Sequence, residues 1–256
     1  MKPEPEAAAQ PPERAPAPTT INVLYIDADL VVVDKPAGIL SAGGRGPGVT
    51  AADLLRNTGV VRSEDPLRIV HRLDRDASGI LIYARTLPAQ QGLVRQFAER
   101  QVEKRYLALV SGYVAEDGAV NLSLTFDRRT NRVRAGRSGK RALTRYRIAE
   151  RVAGNTLLEC ELVTGRHHQI RAHMAAIGHP LTVDPTYGGG QAVLLSHYKR
   201  GYRPSGRRPE RPLIERLTLH AASIQFVHPV TQAAMAFEAP LPKDLRATVH
   251  QLARLV

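Results

Sequence analysis

The sequence predicts an α+β fold in one large domain rather than a doubly wound parallel α/β fold. Several short segments alternate apolar and polar residues with a period of two, as strands with one buried face do, and few segments between them have helical spacing. The chain has 256 residues, of which 43% are hydrophobic, and this is sufficient for a packed core. We expect the fold to occupy residues 21–256.

The first half of the chain predicts two strands and two helices. VLYID (23–27) and LVVVDKP (30–36) flank a polar turn, which indicates a hairpin or closely paired strands. VTAADLLRNTG (49–59) places two leucines on a short helical face that ends at a glycine. Residues 88–102 predict a second helix with Pro88 in its first turn. The apolar stripe of this helix consists of Leu93, Val94, Phe97 and Ala98.

The second half predicts further strands and two more helices. The strands cover residues 105–112, 142–150, 155–165 and 217–229. HHQIRAHMAAIG (167–178) switches to helical spacing and has a glycine where a C-terminal stop belongs. Residues 243–255 predict a closing helix. Strands that outnumber the helices between them favour α+β.

The single cysteine and the N-terminal segment narrow the class of protein. Cys160 is the only cysteine, so neither an internal disulfide nor a Cys-based zinc site can form. It lies among alternating apolar residues in TLLECEL, and we interpret it as buried on a strand face. Residues 1–20 are rich in Pro, Ala and Glu and predict a disordered tail. No segment approaches the roughly 20 apolar residues of a membrane span.

The charge of the chain favours a polyanionic partner. Lys and Arg number 36 against 24 Asp and Glu, for a net charge of +12, and this basicity leaves RNA, DNA and acidic lipid open. Residues 128–147 and 198–211 are especially basic. We interpret both segments as loops, which are either simply solvated or supply the charge and aromatic faces that RNA recognition uses.

One acidic residue stands where a buried strand is predicted to begin. HRLDRDASGILIYA (71–84) places Asp74 between two arginines, just before the apolar run. An Asx-turn, in which the carboxylate caps backbone N–H groups, explains this spacing. A nucleophile or base held at a rigid strand entrance also explains it. Local spacing does not decide between the two interpretations.

Five motifs occur in a fixed order along the chain. They are DKPAGILS (34–41), HRLDRDASGILIYART (71–86), EKRYLALVSG (103–112), LVTGRHHQIRAHMAAIGHPLTVDPTYGG (162–189) and LTLHAASIQFVHP (217–229). Several motifs in the correct order are much stronger evidence than one short pattern. Together they resemble the RluA family of RNA pseudouridine synthases, in the form that lacks an N-terminal RNA-binding domain of the S4 type, and residues 71–86 resemble the sequence around the catalytic aspartate of that family.

The resemblance implies a pseudouridine synthase catalytic fold with a mixed, mainly antiparallel central sheet flanked by helices and loops. It implies an isomerase that converts specific uridines in rRNA or tRNA to pseudouridine without a cofactor. The N1–C1′ bond breaks, the uracil turns and C5 joins C1′, and one positioned carboxylate can initiate these steps. Attack on C1′, addition to C6 and removal of a sugar proton all stay open. We expect a cytoplasmic monomer that binds structured RNA and no membrane.

The resemblance also implies roles for individual residues. Asp74 bonds transiently to the nucleotide, Tyr106 lies beneath the extruded uracil, and Arg171 pairs with the carboxylate. Arg72 fills the space left by the extruded base or binds phosphate. Taken without the resemblance, Tyr106 also fits an ordinary core tyrosine, and Arg171 fits a solvated arginine on a helix.

Five further residues are weaker candidates. Arg166 and Gln169 are expected either to contact RNA or to brace the active-site loop. His167, His168 and His173 are close enough in sequence to suggest a metal, but they come without an HExxH arrangement or a matched carboxylate. We therefore predict no metal site and expect these histidines to serve in polar packing or RNA contact.

Two other functions compete with the isomerase. A noncatalytic RNA-binding or ribosome-assembly factor on the same fold is the main alternative. A metal-dependent nucleic-acid hydrolase is the other, and the sequence lacks the carboxylate-rich cluster that it would need. The joint presence of Asp74, Tyr106 and Arg171 favours the isomerase.

Overall fold

The computed structural model of the protein describes residues 18–43, 48–130, 132–203 and 209–256. Within these residues, four α-helices and twelve strands form an α+β fold. The helices are α1 (Ala51–Asn57), α2 (Leu87–Glu99), α3 (Gln169–Ala176) and α4 (Lys243–Ala253). The strands are β1 (Asn22–Ile26), β2 (Leu30–Lys35), β3 (Arg68–Ile69), β4 (Ser78–Ala84), β5 (Glu103–Ser111), β6 (Gly118–Asn121), β7 (Ser123–Asp127), β8 (Arg132–Gly136), β9 (Leu143–Val152), β10 (Asn155–Leu162), β11 (Leu219–Val227) and β12 (Ala234–Glu238).

Ten of the described strands form one mixed sheet, and β7 and β8 form a separate hairpin. The main order is β1-β2-β4-β11-β5-β10-β9-β6, with β3 paired to β4 and β12 paired to β11. β4 and β11 run parallel, with His220 opposite Ser78, and the other described pairs are antiparallel. The predicted α+β fold with a mixed, mainly antiparallel sheet is therefore confirmed.

The parallel pairing of β4 with β11 explains why the dipeptide Ser78-Gly79 precedes the apolar run. Gly79 has φ +111°, and a Cβ atom there would lie 2.2 Å from the carbonyl oxygen of Ala221 on β11. No side chain fits at that distance, so the close approach of β4 to β11 requires glycine. β4 itself is buried along its whole length, as the run ILIYA predicts.

Alternation along the central strands sends apolar side chains to both faces of the sheet. On β2, Val31 and Val33 pack into one cluster with α1 and α3, while Leu30 and Val32 pack into a second cluster with α2. A third cluster joins α4 to Leu109 and neighbouring apolar residues. Helices on both faces thus cover the sheet at β2 and β4, whose side chains are almost all buried.

The four predicted helices are confirmed with shorter bounds, but the stripe predicted for α2 is wrong in part. α2 begins after Thr86, whose hydroxyl accepts from the Ala89 N–H at 3.3 Å, and Val94 is 45% exposed. The buried face instead includes Gln96, whose side chain donates to the carbonyl of Val227 at 2.8 Å and accepts from its N–H at 3.0 Å. A polar residue takes the core position because it pairs with a strand backbone.

The first basic segment is not a continuous loop as predicted. It contains β8 and the start of β9, and β8 pairs with β7. Val133 is buried between exposed Arg132 and Arg134 and packs with Ala172 of α3. Val133 alternates with exposed arginines, as a buried residue does in a strand with one buried face. The basic composition of the segment obscures this alternation in the sequence.

Three predictions lie partly outside the described residues. These are the disordered tail, of which residues 1–17 are not described, the first basic segment, of which residue 131 is not described, and the second basic segment, of which residues 204–208 are not described. Cys160 is fully buried on β10, as predicted. In the described part of the chain, no helix has the length and apolarity to cross a bilayer.

Candidate active site

A long open groove crosses the protein where several loops meet. Residues 70–78, which lead into β4, form one wall, and residues 164–171, which lead into α3, form another. Asp184 and residues 211–217 extend the lining. The groove therefore joins the motifs around Asp74 and Arg171, which are 97 residues apart in the chain.

Asp74 presents its carboxylate to this groove. Its side chain is 20% exposed, and its Oδ2 accepts from Arg171 Nη1 at 3.1 Å. Its other oxygen, Oδ1, lies 3.6 Å from His168 Nε2. In the described structure the hydrogen-bond donor to this carboxylate is a side chain rather than a backbone N–H group, so the contacts do not support the Asx-turn interpretation.

The loop that carries Asp74 is held by bonds that do not use its carboxylate. Lys35 is fully buried, and its Nζ donates to the carbonyl oxygens of Pro36, Ile39 and Arg75 at 2.9, 2.9 and 3.1 Å. Burial lowers the pKa of this ammonium to about 7. Ser41 Oγ donates to the carbonyl of Leu73 and accepts from its N–H, both at 2.9 Å. DKPAGILS thus braces the backbone on both sides of Asp74.

Arg171 connects two acids inside the protein. Its Nε and Nη2 donate to Asp184 Oδ2 and Oδ1 at 2.7 and 2.8 Å, and its guanidinium lies 5.0 Å from the ring centroid of Tyr187. Burial opposes the charge, but the hydrogen bonds and charge of Asp184, followed by those of Asp74, raise the pKa of Arg171 above its ordinary value. Asp184 therefore fixes one side of the planar Arg171 guanidinium, and the guanidinium directs Nη1 toward Asp74.

Tyr106 lies on β5 with only 8% of its surface exposed and lines the same groove. It shares a core cluster with Ala108 and Val110, as the alternation predicts. Burial, followed by the negative charge of Asp74, raises the pKa of its hydroxyl. At neutral pH, Tyr106 therefore offers a neutral phenol beside the carboxylate.

The three histidines do not converge as a group. His168 has a left-handed backbone, φ +51°, at the start of α3, and its Nδ1 lies 3.0 Å from Tyr187 Oη. His167 is exposed and stacks on His168 with ring centroids 3.8 Å apart. His173 is buried elsewhere, between Thr144 and the carbonyl of Leu122. Polar packing therefore describes His173, while His167 and His168 belong to the groove.

The sequence matches the family model described as RNA pseudouridylate synthase over residues 29–176. It is 37% identical over 242 residues to "Ribosomal large subunit pseudouridine synthase D" of Xylella fastidiosa strain Temecula1, an alignment that covers 91% of this chain and 70% of that protein. A protein of the same name from Xanthomonas campestris pv. campestris is also 37% identical, over 93% of this chain and 71% of that protein. The chain belongs to the RNA pseudouridylate synthase family. It is an RNA pseudouridine synthase, which is an isomerase, and the RluA-family resemblance is confirmed.

A solved structure supports the same assignment. The structure titled "Human RNA Pseudouridylate Synthase Domain Containing 1" superposes on this synthase with a TM-score of 0.68 and 26% sequence identity. The superposition covers 90% of this chain and 87% of that one. The shared fold therefore extends over most of this chain.

The remaining predicted residues of the synthase lie near Asp74 but differ in their surroundings. Arg72 and Arg166 are exposed and line the groove. Gln169 is 2% exposed; its Oε1 accepts from Thr164 Oγ1 at 2.8 Å and from the Arg166 N–H at 3.1 Å. Its Nε2 donates to Leu143 and Thr144 at 3.0 Å. Of the two roles predicted for Gln169, these contacts favour bracing of the active-site loop over contact with RNA.

Sequence reasoning missed four residues that shape the site of the synthase. Asp184 and Tyr187 lie within the matched motif VDPTYGG, but their pairing with Arg171 and His168 is a tertiary contact. Lys35 lies in DKPAG, where only its burial reveals its role. The sequence predicts polar packing or RNA contact for His168, whereas its approach to Asp74 is a tertiary contact. The family motifs marked these positions without indicating which side chains meet.

Proposed function

We propose that the chain converts a uridine of large-subunit ribosomal RNA to pseudouridine, with Asp74 as the reacting carboxylate. The observation that carries this proposal is the placement of Asp74 in the groove. Its loop is fixed by Lys35 and Ser41, and its carboxylate is left for Arg171 and the groove. A carboxylate whose backbone is held rigidly and whose side chain faces the groove suits covalent catalysis.

The chemistry needs little beyond this carboxylate and a proton-transfer group. Uridine and pseudouridine are isomers: the N1–C1′ bond is replaced by a C5–C1′ bond, N1 gains a proton and C5 loses one. Asp74 initiates this exchange by attacking C1′, by adding to C6 or by removing a sugar proton. We infer that Tyr106, a neutral phenol that lines the same groove as the acid, stacks beneath the base and assists the proton transfer at C5.

The charge around the groove suits a nucleic-acid strand. Exposed cations that line it are Arg72, Arg75, Arg100, Arg132, Arg166 and Arg211. They supply the phosphate contacts that dominate nucleic-acid affinity. A base must leave its stack before reaction. We infer that Arg72, which lies two residues before Asp74 in the chain and lines the groove, replaces the extruded uracil. The relatives named as large-subunit synthases make ribosomal RNA the proposed substrate, and transfer RNA is the alternative to be tested.

The first test separates an enzyme from a binding factor. Asp74→Asn keeps the shape of the side chain but removes the nucleophile, so pseudouridine formation should be lost while RNA binding persists. Asp76→Asn in the same loop is the matched control and should retain turnover within a few-fold. Single-turnover assays read by mass spectrometry measure both. Full activity of Asp74→Asn would contradict the proposed mechanism.

The second test identifies the substrate. Pseudouridines are mapped in total RNA from cells with and without the gene, and in cells complemented with Asp74→Asn. We expect the loss of one or more sites in large-subunit ribosomal RNA that only the wild-type gene restores. Loss restricted to transfer RNA would overturn the proposed substrate and leave the enzyme assignment intact. The cytoplasmic location and the monomeric state stay predictions.

A further inference from the structure

Three side chains at the groove bring metal-ligating atoms together. One ligand atom each from Asp74, His167 and His168 lie within 4.8 Å of one another. His168 Nε2 lies 3.6 Å from Asp74 Oδ1. In a tetrahedral zinc site with bonds of about 2.0–2.1 Å, neighbouring ligands are roughly 3.3 Å apart. His168 and Asp74 are thus almost at ligand spacing. Exposed His167 stacks on His168 with 3.8 Å between ring centroids, so its ring must rotate out of the stack to direct a nitrogen at the same ion.

The surroundings of His168 favour coordination through Nε2. With a metal on Nε2, Nδ1 carries the proton and donates to Tyr187 Oη at 3.0 Å. That oxygen already accepts from the Val133 N–H at 2.9 Å, so the outer ligand shell is in place.

We propose that Asp74, His167 and His168 form an inhibitory site for a transition-metal dication such as Zn²⁺. This inference rests on the proposed function, in which Asp74 performs the chemistry. Two imidazoles and one carboxylate oxygen leave the fourth position of the ion to water. The bound ion occupies the carboxylate that must react with the nucleotide, so the metal and turnover exclude each other.

The donor set and nearby charges define the expected selectivity. Imidazole nitrogens suit Zn²⁺, Ni²⁺ and Cu²⁺, whereas Mg²⁺ prefers oxygen ligands in octahedral geometry. Arg171 and Arg72 face the cluster with positive charge, and Asp184 offsets only part of it. The site is therefore weaker than a closed structural zinc site. The prediction of no metal assumed that no carboxylate matched the histidines, and the tertiary fold supplies Asp74.

Direct binding is the first readout. Zn²⁺ is titrated into untagged full-length protein by calorimetry, and Co²⁺ is titrated while its visible absorption is recorded. We expect one saturable site per chain. Loss of an outer-shell partner typically weakens metal binding by about 10–100-fold, so His167→Ala, His168→Ala and Asp74→Asn should each weaken it at least about tenfold. His250→Ala removes an exposed histidine on α4 and should bind as the wild type does.

Inhibition is the second readout. Zn²⁺ should stop pseudouridine formation over the concentration range in which it binds, a chelator should restore it, and Mg²⁺ at the same concentrations should not inhibit. Inhibition of His167→Ala, relative to its own metal-free rate, should need correspondingly more Zn²⁺. An absence of saturable binding, or equal loss in His250→Ala, would overturn the site, and binding without inhibition would overturn its inhibitory role. An inactive wild type that still binds Zn²⁺ at Asp74 would refute the proposed function and not the site.

Discussion

Asp184→Asn should destabilise the protein strongly although the change is nearly isosteric. Asp184 is fully buried and accepts from Arg171 at 2.7 and 2.8 Å. The variant removes its negative charge and places an amide group against a guanidinium that can only donate. Arg171 then keeps Asp74, at 3.1 Å, as its remaining acidic partner in the described structure.

The magnitude follows from the burial of the pair. Removal of one partner from a buried ion pair costs about 3–5 kcal/mol, because the other charge is left uncompensated. Asp74 retains part of that compensation, so we expect the lower end, about 3 kcal/mol. In a domain of this size, 1 kcal/mol lowers Tm by roughly 2–4 °C, so Tm should fall by about 6–12 °C.

The chain contains a matched control on its surface. Arg216 and Asp244 form the same two-pronged pair, with both distances 2.6 Å, but the Asp244 side chain is 43% exposed. Exposed pairs contribute up to about 1 kcal/mol. Asp244→Asn should therefore lower Tm by at most about 4 °C.

Calorimetric melting and urea unfolding at pH 7 measure both variants side by side. Single-turnover rates for Asp184→Asn should also fall, because the guanidinium no longer has a fixed orientation toward Asp74. Equal shifts in Tm for the buried and exposed variants would refute the argument that burial sets the contribution of the pair. A normal rate would show that Asp184 does not position Arg171.

Three further predictions concern Arg171, the basic β7–β8 hairpin and a partly buried histidine. Arg171→Lys keeps the charge but loses the planar fork, so single-turnover rates should decrease from wild type to Lys to Met; equal rates for Lys and Met would contradict this. A second variant changes four exposed arginines to glutamine: Arg128, Arg129, Arg132 and Arg134. The slope of the logarithm of its RNA affinity against the logarithm of salt concentration should be shallower than that of the wild type, because each lost phosphate contact removes about 0.7–0.9 from the slope. An unchanged slope would show that the hairpin does not contact the RNA. Burial lowers the pKa of His71 from 6.5 to about 3, and its Nε2 accepts from the Ile82 N–H at 3.1 Å. As the pH decreases, His71 binds a proton in the unfolded chain before it does so in the folded protein. Its contribution to the free energy of unfolding should therefore be complete above pH 6.5 and be lost as the pH decreases toward 3. His71→Gln should flatten the decline in urea midpoint between pH 7 and 5, and an identical decline would assign it to other groups.

Local patterns in the sequence determined much of the fold. The apolar run after Gly79 predicted β4, the spacing of residues 167–178 predicted α3, and the alternation around Cys160 predicted its burial. Such signals depend on residues within about four positions of each other, where strand and helix periods operate. The same signals failed for β8, because arginines on both sides of Val133 obscured a strand whose single buried residue packs on α3.

The order of the motifs also determined the family from the sequence alone, and with it the prediction that Asp74 and Arg171 meet. Sequence reasoning did not predict that Asp184 would hold Arg171 or that His168 would face Asp74. These contacts arise because β4 pairs with β11, more than 130 residues further along the chain, and because α3 packs against the β7–β8 hairpin. Strand order and helix packing set distances between remote side chains, and no local period encodes them. The residue types of the site were therefore readable in the sequence, whereas its geometry depended on the tertiary structure.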